Sequence, residues 1–242
     1  SKEDELRKEL EEVVKRIEDA LRKLKERSKR VAKRVKKLLD DLKKESEEVV
    51  ESLREKLEKE RVPERIVRTL EELIKTNRDT IDELEKVAKK LIKLHEDTLR
   101  EIERLLRELI RLLREALEAN VEDERFLREL EKRLKEVLDE LERLLRESED
   151  RLERVIKEIE DKLRESRRKL EEDIERVERE GTTESVRKLL EELRRLHERI
   201  IKIIEEILEL LRRVHKEVAK DVRRLARELE ELVRRLVETL RR

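Results

Sequence analysis

The sequence predicts an all-α protein: an elongated, nearly straight up-down-up-down four-helix bundle made of two related helical hairpins. Three observations predict it. Apolar residues recur at steps of three and four along almost the whole chain, the signature of amphipathic helices. Only three short interruptions break that pattern. The pattern repeats best at 18 residues, not seven. Eighteen residues make five turns at about 3.6 residues per turn, so the helices need almost no supercoil.

The elements follow in order. Ser1, with Glu3, Asp4 and Glu5 behind it, makes a suitable start for the first helix. Its apolar stripe runs through Leu6, Leu10, Val14, Ile17, Leu21 and Leu24 to Leu53 and Leu57, giving a helix over about 2–60. Arg61-Val62-Pro63-Glu64 is the first break, and Pro63 suits the first position of the next helix, about 63–118. Ala119-Asn120-Val121-Glu122-Asp123 is the second break. Asn120 tolerates the left-handed conformation that ends helices, and the acids suit the next N-terminus. The third helix then covers about 123–180. Gly181-Thr182-Thr183 supplies a helix-ending glycine and an N-capping threonine before the fourth, about 183–241. Loops this short make sequential helices antiparallel neighbours, and residues 1–242 are expected to form one bundle.

Composition narrows what such a bundle can do. The 242 residues hold 68 Lys+Arg against 68 Asp+Glu, so 56% are charged and the formal net charge is zero. Charge this dense suggests disorder, but the apolar periodicity turns it into solvated helix faces laced with pairs three and four residues apart. No cysteine means no disulfide framework, thiolate metal site or thiol nucleophile. One glycine excludes phosphate-cradling loops. No apolar run approaches the ~18–20 residues that cross a bilayer, and no signal-peptide pattern opens the chain. The expectation is a soluble protein with no native compartment, found in the cytoplasm of an expression host.

The exceptions to the apolar stripe carry the information. Ser28, Ser46, Asn77, His95, Ser148, Ser166, His197 and His215 occupy positions where the period calls for an apolar side chain. Ser28 and Ser46 are 18 residues apart, as are Asn77 and His95, Ser148 and Ser166, and His197 and His215. Moving 120 residues along the chain maps Ser28 onto Ser148, Ser46 onto Ser166, His95 onto His215 and Asn77 onto His197. Folding the chain back at each loop sorts them into two layers. One holds Ser28, His95, Ser148 and His215; the other holds Ser46, Asn77, Ser166 and His197. Thr98 and Thr80 each follow a layer residue by three and are expected to join the networks. The third phase of the repeat is apolar: Leu10, Leu113, Leu130 and Val233.

The residue types explain the grouping. A neutral imidazole has one donor and one acceptor, and a hydroxyl serves as both, so two Ser and two His can satisfy one another. An unpaired buried polar group costs about 1–3 kcal/mol, a penalty that falls on every shifted register. The layers therefore read as devices that specify helix register and pairing. The alternative is a binding or switch bundle. His95 and His215 on diagonal helices have the relation used for bis-histidine haem or a metal, and buried histidines respond to acid. Against haem, the neighbouring core positions Leu91, Leu94, Leu144, Leu145, Leu211 and Val214 are bulky. Against zinc, two His and two Ser form a poor ligand set. No cofactor, metal or catalytic residue is expected: Ser/His pairing alone lacks an orienting acid and a substrate pocket.

Partners are expected to be few. Residues 22–37 form a basic run, read as pairing with acidic neighbours, with the Glu/Asp-rich stretch Asp139–Asp161 of the third helix in view. Zero net charge and a single aromatic argue against nucleic acid. A monomer is expected. The competing arrangement is self-association, or a designed partner, through the flank of the fourth helix at Leu196, Ile203 and Leu210. Ile74, Ile81, Ile92 and Leu99 line a flank of the second.

Strict 18-residue layers, equal charge totals, no Met, Cys or Gln, and Ser/His/Asn at matched heights together resemble de novo designed helical bundles with buried hydrogen-bond networks. That family includes designed helical-hairpin heterodimers, their single-chain versions and caged switch scaffolds. The resemblance covers the whole chain and implies a hyperstable scaffold whose networks set pairing. Two hairpins in one chain depart from the usual dimer, and Asn77 breaks the identity of the halves.

Overall fold

The computed structural model describes residues 2–118, 124–181 and 183–241. They form four helices, α1 (Lys2–Lys59), α2 (Glu64–Glu118), α3 (Glu124–Arg179) and α4 (Glu184–Arg241), and the fold is an all-α bundle. Every helix end falls within one residue of the position expected from the breaks. Ser1, Thr182 and the second break at 119–123 lie outside the described residues.

Two helix junctions show how local chemistry sets the ends. Pro63 sits one place earlier than expected. Its carbonyl accepts from Val67 N at 3.1 Å and from Ile66 N at 3.0 Å, so it caps α2 and does not occupy the first helical turn. A proline loses nothing there, because the first N–H groups of a helix have no partner inside it. At the other junction Gly181 takes φ +89°, the left-handed region that ends α3 without a Cβ penalty. Thr183 then caps α4: its carbonyl accepts from Arg187 N at 3.1 Å and its Oγ1 from Val186 N at 3.4 Å.

The chain divides into two compact units, each drawing a stretch from all four helices. Unit one comprises Ser1–Arg30, Lys93–Leu152 and Arg212–Arg242. Unit two comprises Val31–Ile92 and Glu153–Leu211. In unit one, Lys25 pairs with Glu103 at 2.8 Å, and Glu18, earlier in α1, meets Arg114, later in α2. Along α1 and α4, Glu9, Arg16 and Arg27 meet Arg235, Glu228 and Glu217 in reversed order. α2 meets α3 through Arg104–Glu140 and Glu108–Arg133. Reversed numbering across each contact means antiparallel neighbours. Unit two repeats this, with Arg167–Glu198 and Glu171–Arg194 between α3 and α4, and Glu45–Arg199 and Lys56–Glu192 between α1 and α4.

Each unit has an apolar interior drawn from its four stretches. In unit two, Val50 and Leu53 of α1 cluster with Ile66, Leu70, Leu73 and Ile74 of α2. Leu170, Ile174 and Val177 of α3 and Val186, Leu189, Leu190 and Leu193 of α4 complete the cluster. In unit one the expected apolar layer, Leu10, Leu113, Leu130 and Val233, is buried throughout.

The surface corrects one reading of charge. Cations of the basic run pair with α2 and α4: Lys25 with Glu103, Arg27 with Glu217 and Asp221, and Arg34 with Glu206. Composition points to the acidic stretch of α3 as partner, but these contacts join α1 to α2 and α4. The flank of α4 is occupied from within the chain. Leu196 and Ile203 are buried and Leu210 half-buried. Ile74 and Ile81 of α2 are buried, and Ile92 and Leu99 half-buried. No large hydrophobic side chain is exposed among the described residues. None of the helices is long and apolar enough to cross a membrane among those residues.

Candidate functional site

Unit one brings four of the polar residues together, one from each helix. Ser28 Oγ (α1) lies 3.0 Å from His95 Nε2 (α2). His95 Nδ1 lies 3.4 Å from His215 Nδ1 (α4). His215 Nε2 lies 3.0 Å from Ser148 Oγ (α3). The two imidazoles meet edge to face, with centroids 5.7 Å apart and planes at 67°. All four residues are buried. The central bond is long for a nitrogen pair, and the two outer ones are ordinary.

One further contact determines where every proton sits. Ser148 Oγ donates to the carbonyl of Leu145 in its own helix at 2.8 Å. A hydroxyl has one proton, so Ser148 accepts from His215 Nε2–H. His215 Nδ1 is then a bare lone pair, and His95 Nδ1–H donates to it. His95 Nε2 is in turn an acceptor, and Ser28 donates to it. The layer is a one-way chain from Ser28 through His95, His215 and Ser148 to Leu145. The residues are related by the 120-residue repeat, but the protons are not, because an Nδ1–Nδ1 contact can hold only one.

This chain requires neutral rings, and the surroundings keep them neutral. Burial pushes the His95 pKa down to about 4, with the neighbouring His215 acting in the same direction. Burial also lowers His215, with Arg223 adding to the effect and Glu149 opposing it. Arg223 is itself held by Glu149 at 3.0 Å and Glu142 at 3.2 Å.

Unit two makes only the centre of the equivalent layer. His197 Nδ1 lies 3.2 Å from Asn77 Oδ1 and donates to it. Burial lowers the His197 pKa, and Arg167 adds to this while Glu198 and Glu171 oppose it. Asn77 and Ser46 are buried and Ser166 is half-buried. Asn77 Nδ2, His197 Nε2 and Ser166 Oγ are enclosed without hydrogen-bond partners. In unit one the matching serine, Ser148, reaches the matching nitrogen of His215. Asparagine is shorter than histidine, so the pair in unit two cannot span the same width with all bonds made. Asn77→His should restore the missing length and raise the unfolding free energy by about 1–3 kcal/mol as orphaned atoms gain partners. A guanidinium midpoint unchanged or lowered in this variant would count against that account.

Thr98 and Thr80 do not enter either set of side-chain bonds. Thr98 Oγ1 donates to the carbonyl of Leu94 and Thr80 Oγ1 to that of Thr76, each at 2.8 Å. A threonine in a helix finds the carbonyl one turn back more cheaply than a partner across the core. The features not foreseen from sequence are the Ser148–Leu145 bond and the direct histidine contact. Both depend on side-chain rotamers, which leave no mark on residue spacing.

The layer does not fit haem. The two Nδ1 atoms already touch, both Nε2 atoms are engaged by serines, and Leu145 and Val214 of the same unit are buried nearby in sequence. A macrocycle has no slot between such rings. No group of three or more His, Cys, Asp or Glu residues suited to a metal ion occurs among the described residues.

No family model matches the chain, and no curated protein matches it. Among solved structures it is similar to a chain described as a computationally designed three helix bundle, at 17% identity and a TM-score of 0.40. That likeness covers 89% of this chain and 92% of the other, and the score is too low to carry any property across.

Proposed function

We propose that this protein is a designed structural scaffold without natural biochemical activity, in which the buried Ser/His/Asn layers specify helix register and pairing. The carrying observation is that the bonds Ser28–His95–His215–Ser148 take one residue from each of the four helices. Sliding any one helix, even by a residue, breaks a bond and strands a buried polar atom. Apolar contacts penalise such slips much less, since leucine packs against leucine in many registers. On this reading the layers supply uniqueness, not strength. The protein acts as a monomer, needs no cofactor for this role, and has no nucleic-acid partner or reaction of its own.

The experiment replaces Ser28, Ser46, Asn77, His95, Ser148, Ser166, His197 and His215 together with Leu or Ile. The expected variant melts at a higher temperature but populates several associated or shifted states, seen by light scattering and broadened amide NMR spectra. A variant that stays a single, well-ordered monomer of 29.7 kDa mass removes the proposed role.

A further inference from the structure

We propose that the His95–His215 pair is a binding site for a soft monovalent metal cation, Cu(I) foremost, held linearly between the two Nδ1 atoms. The site occupies the place of the proton that His95 Nδ1 donates to His215 Nδ1. The two Nδ1 atoms lie 3.4 Å apart along a hydrogen-bond axis, so the ring lone pairs point at one another. Two nitrogen ligands at about 2 Å from a metal between them need a separation of about 4 Å. Small rotations of two side chains supply the difference. Each ring is also oriented from behind: Ser28 holds His95 Nε2 and Ser148 holds His215 Nε2, both at 3.0 Å. Outer partners of this kind fix which nitrogen faces a metal.

The surroundings select the class of cation. Zinc requires four ligands in a tetrahedron, and the described residues offer no third His, Cys, Asp or Glu. Val214, next to His215 in sequence, is buried, and so is Leu145, whose carbonyl accepts from Ser148, so water is a poor source of further ligands. Imidazole suits copper, and a closed-shell monovalent ion is satisfied by two nitrogens in line. Its single charge is also much less costly to bury than a divalent one.

The protons balance without any leaving the protein. On binding, the His95 proton moves from Nδ1 to Nε2, and both Nδ1 lone pairs face the metal. Ser28 changes from donor to acceptor, and its hydroxyl turns to a carbonyl of α1, as Ser148 already does toward Leu145. The complex gains one positive charge. The one-way chain becomes symmetric, with both rings carrying Nε2–H and both serines bonded back to their helices.

The second layer supplies the controls. Asn77 and His197 stand in the same 120-residue relation as His95 and His215, but with one imidazole in place of two. Cu(I) is titrated anaerobically into the full chain in competition with a coloured Cu(I) chelator. The parent is expected to take up one equivalent, and X-ray absorption should show two nitrogen ligands in line. His95→Asn copies the Asn–His pair the fold already contains and should lose that equivalent. Asn77→His should raise uptake to two. Uptake that survives His95→Asn, an Asn77→His variant that still binds one equivalent or fewer, or a parent that binds none overturns the proposal.

Discussion

Acidification from pH 7 to pH 5 should lower the unfolding free energy by about 2 kcal/mol through His95 alone. In the unfolded chain this imidazole titrates near its ordinary value of 6.5, and in the folded one burial holds it near 4. Between those values the unfolded state binds more protons, so acid favours unfolding. The stabilisation is complete above the unfolded value, fades as the pH falls below it, and is gone below about 4, a total of roughly 3 kcal/mol. His215 and His197 are lowered by burial as well and add in the same direction. The mechanism is specific. A second proton on His95 would sit on Nε2, where Ser28 now donates, and would place a cation beside His215 in an apolar interior. Carboxylates act lower on the scale. Glu85 and Glu103, held below the usual carboxylate range by hydrogen bonds from Lys43 and Lys25, lose their contribution only as they protonate. Guanidinium titrations at pH 7, 6 and 5 check this, alongside His95→Asn. The variant should lose much less between pH 7 and pH 5. An equal loss in both proteins would mean that the histidine layer is not the acid-sensitive element.

Truncating the apolar core should cost more than altering a polar layer. Leu193 is fully enclosed in the cluster that joins all four helices of unit two. Leu193→Ala removes its contacts and leaves a cavity, and should cost about 2–5 kcal/mol. Two serine variants set the scale for the layers. Ser148→Ala leaves the His215 Nε2–H without its acceptor and should cost about 1–3 kcal/mol. Ser166→Ala deletes an enclosed hydroxyl that has no partner, and should gain about 0.5–1 kcal/mol from relieved desolvation and better helix propensity. Midpoint shifts at constant denaturant slope measure all three. If Ser166→Ala destabilised as much as Ser148→Ala, the two layers would be equivalent, and the reading of unit two as incomplete would be wrong.

Particular residues show why some features could be read from sequence and others not. Gly181 and Thr183 announce a helix end and a cap because their chemistry is local. Pro63 lies one place outside the helix that its chemistry suggests, because proline is comfortable both just before and just inside a helix. For the basic run of α1, composition points to α3, whereas its cations reach α2 and α4. Composition shows that acids exist, whereas adjacency decides which of them are reached. Thr80 and Thr98 have the right spacing for the layers, but their hydroxyls bond within their own helix. Spacing sets the height of a side chain, and its rotamer sets what it touches.

The sequence by itself determined the all-α fold, the four helix spans and the periodic positions at which polar residues enter the apolar stripe. Those properties follow from the helical period, from capping chemistry and from burial of apolar side chains, all carried by residue order. Only the tertiary structure decided that His95 and His215 meet through Nδ1, that Ser148 turns to Leu145, and that Asn77 falls short of a complete layer. Those outcomes depend on distances of a few tenths of an ångström between side chains of different helices. Hydrogen bonds discriminate at that scale, and periodicity does not.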